Sequence, residues 1–155
     1  MTRSHSSLSD LEAMEIALDA ARKAGAVGEV PVGAVLIADG VVIGVAGNAR
    51  ESHHDPTAHA EVQVLRNAAM SQGSWRLDTA TLVVTLEPCL MCAGAILNAR
   101  VPRVVIGALD PKAGALGSLY NVGNDPRLNH QIDVTVGVLA EVSAELIKEF
   151  FAARR

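Results

Sequence analysis

Hydrophobic positions recur at helical intervals near the start of the chain. Ser9-Asp10-Leu11-Glu12 has the spacing of a capping box, Leu11, Met14, Leu18 and Ala21 follow on one face, and Gly25 is a plausible stop. The period then changes. Val30 to Ala38 is a dense Val/Ile/Leu/Ala run and reads as a buried strand. Asp39-Gly40 is a hairpin signal, and Val41 to Ala46 returns as a second strand. Residues 47–58 are polar and carry an Asp-Pro turn signal. A helix is expected from Pro56 or Thr57, with Val62, Leu65, Ala68 and Ala69 facing inward.

Thr79 to Leu86 reads as a strand, Cys89 to Asn98 as a helix and Val101 to Ala108 as a strand. Leu109 to His130 is rich in Gly and Pro and reads as a long loop with room for one short helical turn. Loops of this length in compact domains are usually functional or mobile. Ile132 to Leu139 is the expected last strand and Glu141 to Ala153 the last helix. The order is therefore α-β-β-α-β-α-β-β-α. A hairpin leading into a βαβ unit predicts one mixed sheet layered with helices, since such crossovers join parallel strands. No repeat or linker interrupts the pattern, so one domain over residues 1–155 is expected, with residues 1–9 a flexible tail.

Composition supports a packed core. Of 155 residues, 50% are hydrophobic and only 3% aromatic, so aliphatic side chains must fill the interior. No apolar run approaches the ~20 residues that a membrane span needs. The opening MTRSHSSLSD lacks the apolar segment of a signal peptide, so the cytoplasm is the expected compartment. Net charge is −4. Residues 1–99 hold six Lys/Arg against eleven Asp/Glu, whereas residues 100–155 hold seven against six. That asymmetry permits an anionic partner at the C-terminal third without requiring one.

The chemistry concentrates in Thr85 to Cys92, TLEPCLMC, which holds both cysteines of the chain, Cys89 and Cys92. Two cysteines do not make a disulfide framework. A Cys-x-x-Cys pair is a redox dithiol, half of a metal site, or two small buried residues. Pro88 and the preceding strand place the pair in the first turn of a helix, where residues i and i+3 share a face and the positive helix end favours thiolates. A metal site then needs histidine. His5 lies in the tail, His53 and His54 read as solvent-exposed, and His130 reads as a hydrogen bonder that pins its loop. His59 differs because it opens an apolar helix and has a carboxylate, Glu61, two residues later. One His and two Cys leave the fourth tetrahedral position open, which is the ligand count of catalytic zinc. Such a site activates water at neutral pH and uses a carboxylate to carry its proton, a task for Glu61. Residues i and i+2 point ~200° apart in a regular helix. His59 and Glu61 therefore face one pocket only if they lie where the helix begins.

His59-Ala60-Glu61 followed by Pro88-Cys89-x-x-Cys92 is similar to the signature of the zinc-dependent nucleoside and nucleobase deaminases. The wider pattern resembles the bacterial tRNA-specific adenosine deaminase family. It includes Asn48, Asp55 to Glu61 (DPTAHAE), Thr85 to Ala95, Gly114 to Leu119 and Asn129-His130, and it runs from about Met14 to Arg155. The resemblance implies a three-layer α/β/α cytidine-deaminase-like fold with a central mixed five-stranded sheet. It implies Zn2+, one per subunit, held by His59, Cys89 and Cys92, with Glu61 as proton shuttle and Asn48 reaching the base. It implies a homodimer that converts the wobble adenosine of a tRNA anticodon stem-loop to inosine. Asp110 and Lys112 match the family's loop beside the pocket, and Phe150, Phe151, Arg154 and Arg155 match a C-terminal helix that flanks the RNA. Core packing is an equal reading for the two Phe residues, and Leu109 stands where many relatives carry a basic residue. A free nucleobase deaminase for guanine or cytosine shares the same zinc constellation. A zinc-stapled binding module, in which Glu61 is dispensable, is the reading from another class.

Overall fold

The computed structural model describes residues 8–154. The first helix, α1, spans Asp10–Ala26 and starts as its sequence predicts. Ser9 Oγ accepts from the Glu12 N–H at 3.1 Å, and the Glu12 carboxylate accepts from the Ser9 N–H at 3.2 Å. Each satisfies a donor that the helix itself leaves without a partner. The tail expected over residues 1–9 thus lies outside the described residues except at Leu8 and Ser9, and Ser9 is the cap. The apolar face of α1, including Met14, Ala17, Leu18 and Ala21, is buried.

Strands β1 (Gly33–Ala38) and β2 (Val41–Gly47) form the expected hairpin. Asp39 and Gly40 both have positive φ, 53° and 75°, as a two-residue turn matched to strand twist requires. Helix α2 (Ala60–Gln72), strand β3 (Ala80–Leu86), helix α3 (Leu90–Asn98) and strand β4 (Arg103–Ala108) follow. A 3-10 turn at Val122–Asn124 sits in the long loop, and β5 (Asp133–Val136) and α4 (Ala140–Ala152) complete the chain. The sheet order is β2-β1-β3-β4-β5. β1 pairs antiparallel with β2 and β3, and β3, β4 and β5 run parallel.

Alternation along the strands builds two cores. Val35, Val83 and Val105 pack under α1 with Met14 and Leu18, and Leu146 of α4 joins them. Leu36, Leu82, Val84, Val104 and Ile106 point to the other face and pack with Val64 and Leu65 of α2 and Ile96 of α3. The result is the three-layer α/β/α arrangement and mixed five-stranded sheet of the cytidine-deaminase-like fold.

Several boundaries differ from the sequence expectation for local reasons. β1 begins at Gly33, three residues after Val30, because Pro31 has no ladder donor. α2 begins at Ala60 because Asp55 folds back on Thr57, accepting from its N–H at 2.8 Å and its hydroxyl at 2.7 Å. Val64 is buried where Val62 and Ala69 had been expected, and those two are half-buried. β5 stops at Val136 because Gly137 (φ 96°) and Leu139 (φ 54°) turn the chain into α4.

Helix α1 approaches the hairpin closely. A Cβ on Gly33 would lie against the Ala17 carbonyl and 2.7 Å from the Ala21 nitrogen, both backbone atoms that cannot swing away. Gly33→Ala should therefore lower stability by about 3 kcal/mol. Urea unfolding would show it as a lower midpoint, and an unchanged midpoint would mean that the two elements are not in tight contact.

Candidate active site

Two helices aim their N-termini at one point beyond the carboxyl end of β3. His59 is the N-cap of α2 and Cys89 the N-cap of α3, both with extended ψ (155° and 176°), and neither side chain caps its helix. Cys92 lies in the first turn of α3 and is fully buried. His59 Nδ1 is 3.6 Å from Cys89 Sγ and 3.5 Å from Cys92 Sγ. The three ligand atoms lie within 4.8 Å of one another. The extended backbone at His59 also removes the difficulty of its spacing from Glu61. His59 is not a helical residue, so it and Glu61 line one pocket of about 160 Å³.

The electrostatics fit a cation site. A hydrogen bond from the Cys92 thiol, opposed by burial and helped by His59, lowers the Cys89 thiol to about 4. Cys92, donating to Cys89 and deeply buried, is pushed far up. Two sulfurs and an imidazole thus crowd together, a donor set suited to a soft divalent metal. Burial pushes the Glu61 carboxyl up to about 7; the side chain is 4% exposed.

The residues expected from resemblance divide. Asn48 lines the pocket, held by a bond from its Nδ2 to the Val30 carbonyl (3.3 Å) and one to its Oδ1 from the Arg50 N–H (3.2 Å). Asp110 also lines the pocket, and its carboxylate turns the loop by accepting from the Lys112 and Ala113 N–H groups at 3.0 and 3.3 Å. Lys112 is exposed and outside the pocket lining. His130 donates from Nε2 to the Val101 carbonyl at 2.7 Å, the loop-pinning role expected of it. Phe150 is half-buried and Phe151 is 48% exposed, outside both cores, which removes core packing as the account of Phe151. Arg155 lies outside the described residues.

Sequence reasoning missed three residues. Arg50 is the lone Lys or Arg among the described residues lining the pocket. Glu29 and Glu87 are 1% and 2% exposed, and each gathers the backbone of a loop beside the pocket. Glu29 accepts from the N–H groups of Glu51 (2.9 Å) and Ser52 (2.7 Å) and from the Ser52 hydroxyl (2.6 Å). Glu87 accepts from the N–H groups of Asp110, Leu116 and Ser118 and from the Ser118 hydroxyl. Burial opposes the charge of both, yet these donors outweigh it and hold both carboxyls below their ordinary value. A glutamate closing an apolar strand just ahead of Pro88-Cys89 was the available signal for Glu87.

Fold and cluster together define a deaminase of the cytidine-deaminase-like class. A sequence model of the MafB19-like deaminase family matches residues 8–155. The tRNA-specific adenosine deaminase of Haemophilus influenzae is 50% identical over 147 residues, which cover 94% of this chain and 85% of that relative. A solved structure from work on A-to-I editing by tRNA:A34 deaminases at the wobble position of transfer RNA has a TM-score of 0.84 at 48% identity, covering 86% of this chain and 97% of that one. A guanine deaminase from Bacillus subtilis is more distant, with a TM-score of 0.65 at 29% identity and 95% of this chain covered. The chain belongs to the MafB19-like deaminase family and, within it, to the tRNA-specific adenosine deaminases. Among the described residues no helix is long and apolar enough to cross a membrane.

The Glu29 cage has a consequence for stability. Its folded carboxyl is lowered, so its contribution is complete above the unfolded value of about 4.5 and is lost as pH falls through the folded value. Glu29→Gln should be less stable than wild type by about 2 kcal/mol at pH 7, with the gap narrowing below pH 4.5. Urea unfolding at pH 7, 5 and 3 checks it; a gap that stays constant would remove charge from the explanation.

Proposed function

We propose that this chain deaminates adenosine to inosine at the wobble position of a tRNA anticodon stem-loop, with Zn2+ at His59, Cys89 and Cys92, one ion per subunit. The observation that carries the reading is the placement of buried Glu61 in one pocket with His59 and Cys89. Zinc bound there would supply Lewis acidity that brings the pKa of water in the pocket toward 7. Glu61 does the proton work. Its carboxylate takes a proton from the attacking water and delivers it to N1 of the base. The water oxygen bonds to C6, and Glu61 takes the remaining proton of that new C6 hydroxyl and passes it to the amine. The C6–N bond breaks and C6=O forms, so adenosine and water become inosine and ammonia. A carboxyl raised to about 7 can both accept and release a proton near neutrality, which suits that double task. The Asn48 amide, fixed by its bonds to Val30 and Arg50, presents donor and acceptor groups to the purine edge.

The substrate must bring a base out of its stack to reach a pocket this narrow, and an anticodon loop offers one already unpaired. Phe150 and Phe151 meet edge to face at 5.3 Å, and the Arg154 guanidinium lies 3.4 Å from the Phe150 ring centroid. Phe151 is the exposed member of the pair, and with the cation over its half-buried neighbour it suits stacking on single-stranded RNA. Asp110 and Lys112 on the loop beside the pocket are the further RNA contacts of this reading. We take the chain as one deaminase domain over residues 1–155, acting as a cytoplasmic homodimer with no membrane association. A free guanine or cytosine deaminase is the second reading, supported by the guanine deaminase likeness at 29% identity against 50% for the tRNA-specific relative.

The test is inosine formation on an anticodon stem-loop with a wobble adenosine, with free adenine, guanine and cytosine in parallel. Glu61→Ala should lose at least about 10²–10⁴-fold in kcat while keeping its zinc. Turnover surviving in that variant would sink the proton-shuttle role, and ammonia from a free base alone would favour the second reading. Chelation should abolish turnover and added zinc restore it. Cys92→Ala should hold well under one zinc per chain by metal analysis, and full occupancy in that variant would remove Cys92 from the ligand set.

A further inference from the structure

We propose that Glu87 is a positioning residue for this deamination, whose buried carboxylate folds the 110–118 loop into a wall of the pocket and joins it to the turn that carries Cys89. The inference deepens the reading above and rests on it for the substrate. Four donors converge on this one side chain. The N–H groups of Asp110, Leu116 and Ser118 lie at 3.0, 3.1 and 3.0 Å, and the Ser118 hydroxyl also donates to it. Only a carboxylate offers enough acceptor sites for four donors.

The surroundings are shaped around that carboxylate. A Cβ on Gly114 would press into its carboxyl carbon and both oxygens, so glycine is required by contact and not by φ. The main chain runs in parallel with the cage. The Glu87 N–H donates to the Ala108 carbonyl at 2.9 Å, and the Ala115 N–H donates to the Pro88 carbonyl at 2.9 Å. Cys89 and Gly114 form an isolated antiparallel bridge. Glu87 therefore ties the segment bearing Cys89 to the segment bearing Asp110 and Ala113, both of which line the pocket. Without it, the loop would have to be ordered by each arriving substrate. That cost falls on binding, because a site competent in only a fraction of molecules binds weaker by that fraction.

The experiment compares wild type, Glu87→Gln, Ser118→Ala and the double variant on the wobble-adenosine stem-loop. Glu87→Gln should raise KM about tenfold with kcat within about twofold and zinc content unchanged, the pattern of lost preorganisation. Ser118→Ala should raise KM about threefold, and the double variant should add nothing to Glu87→Gln, because the hydroxyl bond that Ser118→Ala removes is made to Glu87 itself. Amide hydrogen exchange should speed up at Asp110, Leu116 and Ser118 in Glu87→Gln while the β3 amides Leu82 to Val84 stay protected. An unchanged KM, a loss of kcat and zinc together, or additive effects would overturn the proposal. Should wild type make no inosine in the stem-loop, the functional reading fails on its own. The exchange data still decide Glu87, since unaltered exchange over 110–118 would show that it holds nothing.

Discussion

Everything at this site depends on two helices that surrender their caps. The N-cap position favours Ser, Thr, Asp or Asn, and an unsuitable residue there costs about 1 kcal/mol. α1 obeys the rule with Ser9, whereas α2 and α3 place His59 and Cys89 there and receive no capping bond from either. The same backbone geometry frees those side chains from helical periodicity and turns them toward each other. The exposed positive ends of two helices then converge where thiolate charge must be held. The local sacrifice and the chemical gain arise from one arrangement, and neither helix could move to improve its cap without separating the cluster.

Three buried glutamates around one pocket show how environment divides a single residue type among tasks. Glu29 and Glu87 sit in cages of backbone donors and stay ionised, so they act as fixed acceptors that organise loops. Glu61 is similarly closed to solvent but lies deepest, and desolvation, not outweighed by donors there, pushes it up to about 7. The first two are suited to holding backbone and poorly suited to moving protons. The third is the reverse. Solvent exposure alone does not separate them; the depth at which each carboxylate lies and the donors pointing at it do.

The sequence made the fold readable because its periodicities are clean. The order of elements, the Asp39-Gly40 hairpin and the Ser9 capping box all follow from local rules that tertiary packing did not override. The cluster His59, Cys89 and Cys92 was legible because rare residues stood at meaningful spacing. What escaped the sequence were contacts that only the fold creates. Nothing near Glu29 in the chain reveals that Ser52 will come to rest on it, since 23 residues separate them. The late start of α2 was hidden for a different reason. An Asx turn and a helix start compete for the same polar residues, and Asp55-Pro56-Thr57 can serve either. That competition, once settled for the turn, is what moved His59 to the cap.

The net charge of −4 is at first an awkward fit with a polyanionic substrate. Formal charge, however, counts residues without regard to where their fields emerge. Glu29, Glu61 and Glu87 are buried, the first two caged or protonatable and the last ringed by donors, so they present little charge to solvent. Near the pocket the exposed cations are Arg50 and Lys112, and near the C-terminus, among the described residues, they are Lys148 and Arg154, the latter stacked on Phe150. A chain arranged this way has weak long-range attraction for nucleic acid and relies on contacts made after encounter. On the proposed function, stacking by Phe151 and the shape of the preformed loops are the terms left to distinguish an anticodon loop from any other RNA.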